Sequence, residues 1–84
     1  MTQQRTAIVT GGSKGIGAAI ARRLAEQGIA VAVNYSSDAG AADAVVDAIE
    51  ANGGKAVAIR SDIAAPGGMT ALFDATEDAL GPVD

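Results

Sequence analysis

Two kinds of hydrophobic pattern alternate along the chain. Ala7-Ile8-Val9, Ala30-Val31-Ala32-Val33 and Ala56-Val57-Ala58-Ile59 are short continuous apolar runs, the pattern of strands buried on both faces. After each run the period lengthens. Ile16, Ile20 and Leu24 fall at i, i+4 and i+8 with Arg22, Arg23 and Glu26 opposite, which predicts an amphipathic helix entered at Gly15 and stopped at Gly28. Ser36-Ser37-Asp38 offers N-cap residues for a second helix, with Asp38 the expected cap. Its apolar stripe is Ala41, Val45, Ala48 and Ile49, its polar face Asp43, Asp47 and Glu50, and Asn52-Gly53-Gly54 closes it. Pro66 suits the first turn of a third helix. There Met69, Leu72, Phe73, Thr76 and Leu80 form the expected core stripe, and Gly81-Pro82 is the stop signal.

A strand-then-helix unit thus recurs three times, with strand starts near residues 7, 30 and 56. Buried strands alternating with amphipathic helices imply parallel strands, right-handed crossovers and an α/β fold of three layers. The expected strand order is third-second-first, with all strand C-termini at one edge. Val83-Asp84 stand where a fourth strand would begin, so the pattern reads as one domain, residues 1–84, incomplete at Asp84.

Composition narrows the chemistry. Of 84 residues, 20 are Ala, and the larger apolar residues include seven Val, seven Ile and three Leu, so the core is built from small side chains. The net charge of −4 argues against a general nucleic-acid surface. With no Cys and no His, disulfides, thiolate nucleophiles, imidazole acid–base chemistry and the usual zinc sites drop out. The acidic helix faces read as solvated surface, and no metal site is expected. No apolar run approaches the roughly 18 residues of a membrane span, and no signal-peptide pattern opens the chain. The expected setting is the cytoplasm.

The informative segment is Thr10-Gly11-Gly12-Ser13-Lys14-Gly15-Ile16-Gly17, between the first strand and the first helix. Glycines there answer three demands of a bound pyrophosphate: a sharp turn at Gly11, close backbone approach at Gly15 and tight helix–sheet packing at Gly17. The helix N-terminus adds unpaired N–H donors and partial positive charge, and Ser13 adds a hydroxyl. The segment is not a P-loop, because no Gly-Lys-Ser/Thr follows a four-residue spacer.

These residues resemble the Thr-Gly-x-x-x-Gly-x-Gly turn of the short-chain dehydrogenase/reductases, of the 3-oxoacyl-carrier-protein-reductase-like kind. The resemblance covers essentially the whole chain and implies the first βαβαβα half of a dinucleotide-binding Rossmann domain. It implies that Asn34, Tyr35 and Ser36 meet the adenosine ribose. It further implies that Asp62 holds the adenine amino group while Ile63 covers the ring, and that Gly11, Ser13, Lys14, Gly15, Ile16 and Gly17 belong to the cofactor-binding turn. Gly81-Pro82-Val83-Asp84 resembles the lead-in to the family's fourth strand. The Asn-Asn-Ala-Gly segment, the catalytic Ser and the Tyr-x-x-x-Lys motif do not occur in these 84 residues. No catalytic residue is therefore assigned.

The expected cofactor is NADP(H) in preference to NAD(H). An NAD site places Asp or Glu about 20 residues beyond the glycine turn, whereas Asn34 and Tyr35 are neutral and Lys14 brings a positive charge toward a 2′-phosphate. Asp38 would oppose that preference if it turned toward the ribose. The reading is the cofactor-binding portion of an oxidoreductase that reduces a carbonyl to an alcohol by hydride transfer. A nucleotide-binding module, or an inactive truncated chain without chemistry of its own, remains the alternative. The open edge expected at the first strand predicts self-association, or completion by a C-terminal half.

Overall fold

The computed structural model describes residues 5–11 and 15–83. Strands β1 (Thr6–Val9), β2 (Ala30–Tyr35) and β3 (Ala56–Arg60) alternate with helices α1 (Gly15–Glu26), α2 (Ala39–Ala51) and α3 (Gly68–Leu80). The strands form one parallel sheet in the order β1-β2-β3, the arrangement expected of consecutive βαβ units. Among the described residues β1 pairs on one side only.

The pleat sorts side chains into two cores. Val9, Val31, Val33 and Ala56 pack with Ala18, Ala21 and Ala25 of α1 and Ala42, Val45 and Ile49 of α2. On the other face Ala30 and Ala32 pack with Leu80 of α3, flanked by Ile8, Val57 and Ile59. Two helices therefore cover one face and α3 the other, giving the three-layer α/β fold. Thr6 Oγ1 donates to the Leu80 carbonyl oxygen at 3.5 Å, linking the end of α3 to β1. Thr76, a polar member of the buried stripe, donates from Oγ1 to the Leu72 carbonyl at 2.8 Å and so buries no unpaired hydroxyl.

The helices differ from the sequence expectation in which face is inside. In α1 the buried positions are Ala18, Ala21 and Ala25, while Ile16 is 81% and Ile20 46% exposed and Leu24 is half-buried. At 100° per residue the Ile/Leu stripe and the Ala stripe are centred about 130° apart. α1 packs against both the sheet and its neighbour α2, and methyl-sized side chains let both contacts close. In α2 the stripe turns slightly toward Ala42, with Ala41 and Ala48 half-buried. In α3, Leu72, Thr76 and Leu80 are buried as expected, but Met69 and Phe73 are 42% and 41% exposed. Met69 lies in the first turn and Phe73 on the flank, and among the described residues no second helix stands beside α3 to cover them.

The helix boundaries follow local chemistry. The N–H groups of Gln27 and Ile29 both donate to the Leu24 carbonyl, and that of Gly28 to Ala25, which closes α1. Asp38 caps α2 by accepting the Ala41 N–H at 2.9 Å, while Ser36 and Ser37 precede the cap. Pro66 does not open α3: the cap is Gly67 and the helix starts at Gly68. The reason is a turn ahead of the helix. Asp62 Oδ1 accepts the Ala64 N–H at 3.0 Å and the Asp62 carbonyl accepts the Ala65 N–H at 3.1 Å, which delays the helix past Pro66.

Candidate nucleotide-binding cleft

All three strands run the same way, so the connections leaving β1, β2 and β3 emerge at one edge of the sheet. There they enclose a cleft of about 270 Å³ lined by Gly11 from the first connection, Asn34, Tyr35 and Ser36 from the second, and Ser61, Asp62, Ile63 and Ala64 from the third. Its size is near the lower end of small-molecule pockets, about 300 Å³. A second hollow, of about 50 Å³ beside Arg22, Glu26 and Asn52, lies apart from it.

Six residues singled out from the sequence meet in this cleft: Gly11, Asn34, Tyr35, Ser36, Asp62 and Ile63. Ser61 and Ala64 join them and were not expected. The signal for both was their adjacency to the Asp62-Ile63 pair. Gly15, Ile16 and Gly17 form the first turn of α1, where backbone amides have no intrahelical acceptor. Ser13 and Lys14 lie outside the described residues. Gly11 and Gly15 have φ of +64° and +54°, a left-handed backbone that a side chain disfavours. A Cβ at either would meet nothing within 4 Å, so the backbone borders open space on that side.

The connections are tied to one another. Arg60 Nε donates to the Ser36 carbonyl at 3.2 Å, joining the end of β3 to the segment leaving β2. Asn34, 3% exposed, donates from Nδ2 to the Ile59 carbonyl at 3.3 Å and the Ser61 carbonyl at 3.1 Å. Ser61 Oγ donates to the Gly68 carbonyl at 2.7 Å. The Asp38 carboxylate is engaged at the start of α2. Asp62 is exposed, and its Oδ1 takes the Ala64 N–H. No group of His, Cys, Asp and Glu among the described residues is arranged to hold a metal ion.

A glycine turn between the first strand and first helix, with a cleft outside the carboxyl ends of parallel strands, defines a Rossmann-type fold. The chain belongs to the short chain dehydrogenase family, whose model matches residues 5–84. It is 50% identical over 80 residues to an uncharacterized oxidoreductase of Methylorubrum extorquens, covering 95% of this chain and 32% of that protein. It is 44% identical over 80 residues to a 3-oxoacyl-[acyl-carrier-protein] reductase of Synechocystis, covering 95% of this chain and 32% of the relative. Among solved structures, a dehydrogenase/reductase from Sinorhizobium meliloti superimposes with a TM-score of 0.93 at 51% identity, over 99% of this chain and 33% of that one. A blue fluorescent protein from a metagenomic library, in complex with NADPH, superimposes with a TM-score of 0.88 at 45% identity, over 95% and 33%. The chain therefore spans about a third of the length of these relatives. No helix among the described residues is long and apolar enough to cross a membrane.

Proposed function

We propose that this chain forms the adenosine and pyrophosphate side of an NADP(H) site in an oxidoreductase that reduces a carbonyl to an alcohol. The observation that carries the reading is a cleft in which the segments leaving all three strands meet, with Gly11 of the glycine turn in its wall. The NADPH complex of a structural neighbour supports the choice of ligand. In this reading Gly11, Ser13, Lys14, Gly15, Ile16 and Gly17 form the cofactor-binding turn, Asn34, Tyr35 and Ser36 border the ribose, and Asp62 and Ile63 border the adenine.

The residues fit such a group. The positive φ at Gly11 and Gly15 and the space beside them suit close approach of an anion to main-chain N–H groups. The residues between β2 and Asp38 are neutral, and the Asp38 carboxylate is engaged at the start of α2, which favours a 2′-phosphate on the ribose side. Bound NADPH would supply the hydride. The chain's own residues bind and orient the cofactor, and none of them is assigned a proton-transfer role. The cofactor is proposed to be drawn from a cytoplasmic pool, which makes the cytoplasm the proposed location.

Titration calorimetry with NADPH, NADH and adenosine 2′,5′-bisphosphate tests the reading. NADPH and the bisphosphate should bind, with NADPH preferred over NADH. Absence of heat with all three overturns the nucleotide reading, and equal affinity for NADPH and NADH overturns the 2′-phosphate preference.

A further inference from the structure

We infer that Asn34 is a positioning residue that acts through Asp62: its amide aims the turn presenting the Asp62 carboxylate to the base of a bound adenine nucleotide. The inference rests on the nucleotide reading above and deepens it. The geometry at Asn34 is that of a fastener. The residue is 3% exposed, and its Nδ2 contacts two carbonyl oxygens, those of Ile59 and Ser61. Only the NH₂ end of an amide can face two carbonyls, which fixes the side-chain orientation and engages both of its hydrogens.

The placement of these bonds gives them their consequence. β2 ends at Tyr35 and β3 at Arg60, and past β3 the Ser61 N–H still donates to the Tyr35 carbonyl at 3.0 Å. The Asn34 side chain takes the Ser61 carbonyl, so the residue immediately before Asp62 is held to β2 from both its N–H and its C=O. From the far side, Ser61 Oγ holds the Gly68 carbonyl. Gly68 approaches so closely that a Cβ there would overlap the Asp62 carbonyl oxygen. Asp62 Oδ1 is oriented by the Ala64 N–H. A carboxylate held this way has its second oxygen to accept a hydrogen bond from an exocyclic amino group. Adenine carries such a group and hypoxanthine does not.

The test uses the whole protein that carries this chain and compares its affinity for NADPH with that for the hypoxanthine analogue of NADPH. The unaltered protein should prefer the adenine form by about tenfold or more, the value of one hydrogen bond to a charged group. Asn34→Leu, which keeps the branched shape and removes both donors, should shrink the ratio of the two affinities to about twofold, a ratio in which any contact of Asn34 with the shared ribose cancels. Asn34→Ser, too short to reach both carbonyls, gives the same readout should Asn34→Leu fail to fold. Adding either change to Asp62→Ala should reduce the preference no further. If the unaltered protein binds neither form, or binds both equally, the assignment of Asp62 to the base fails and takes this inference with it. If the unaltered protein discriminates but the Asn34 variants keep the full preference, or lose both ligands in parallel, Asn34 is not a positioning residue for Asp62 and the nucleotide reading stands.

Discussion

Asp38 Oδ1 accepts the backbone N–H of Ala41 at 2.9 Å, three residues along, at the first turn of α2. The contact binds the carboxylate to the helix it precedes, and it sits at the positive end of that helix's dipole. Asp38→Ala should therefore lower stability by about 1 kcal/mol in chemical denaturation. NADPH affinity should stay within about twofold. A large change in affinity with unchanged stability would mean that Asp38 serves the ligand.

The inward face of α1 yields a sharper contrast. Ala21 of α1 is fully buried in the cluster that joins α1 to the sheet and α2, whereas Ile16 and Ile20 are exposed. Ala21→Leu should overfill that contact and cost about 1–3 kcal/mol. Ile20→Ser should stay within about 0.5 kcal/mol, as surface changes do. Denaturant melts of the two variants, read side by side, check which face the helix buries.

Much of this architecture was legible in the sequence. The order of elements, the parallel sheet and the Asp38 cap follow from local runs and turn chemistry that act over a few residues. So do six of the eight residues lining the cleft, because parallel strands bring their carboxyl ends together whatever the rest of the fold does. The face of α1 was not legible, because periodicity weighs residues by hydrophobicity while a helix packed closely against two neighbours is chosen for small size. The exposure of Met69 and Phe73 depends on what stands beside α3, a property of the assembled layers. The role of Asn34 was hidden for a related reason. Its partners are Ile59 and Ser61, 25 and 27 residues away, and nothing near Asn34 in the sequence names them.

Gly15 separates the needs of the fold from those of the ligand. Its φ of +54° disfavours a side chain, yet a Cβ there would meet nothing within 4 Å. Gly15→Ala should cost about 1–2 kcal/mol from backbone strain alone. On the proposed reading its NADPH affinity should fall by about tenfold or more, because the added methyl would stand in the way of the phosphates. Calorimetric titration well below the melting temperature distinguishes the two effects. Unchanged affinity would remove Gly15 from the phosphate site.

Charge reversal tests the cofactor preference. Lys14→Glu should weaken NADPH by about tenfold or more, the scale of a lost charge-assisted contact, and leave NADH within about twofold. Parallel titrations with the two cofactors supply the comparison. Equal losses would refute a role for Lys14 at the 2′-phosphate.

The cross-strand partners in the sheet carry one more consequence. Val31 lies opposite Ala56, Ala32 opposite Val57, Val33 opposite Ala58 and Ile8 opposite Ala32, so in these four pairs a bulky residue meets a methyl, while Val9 faces Val33. A slip of β3 by one residue against β2 would set Val31 against Val57 and Ala32 against Ala58, crowding some pairs and hollowing others. It would also turn each side chain of β3 toward the opposite layer of helices. Alternation of Ala with Val and Ile thus works as a key for strand alignment, adding hydrocarbon volume to the hold of the Asn34 amide on β3, with no buried charge among the described residues.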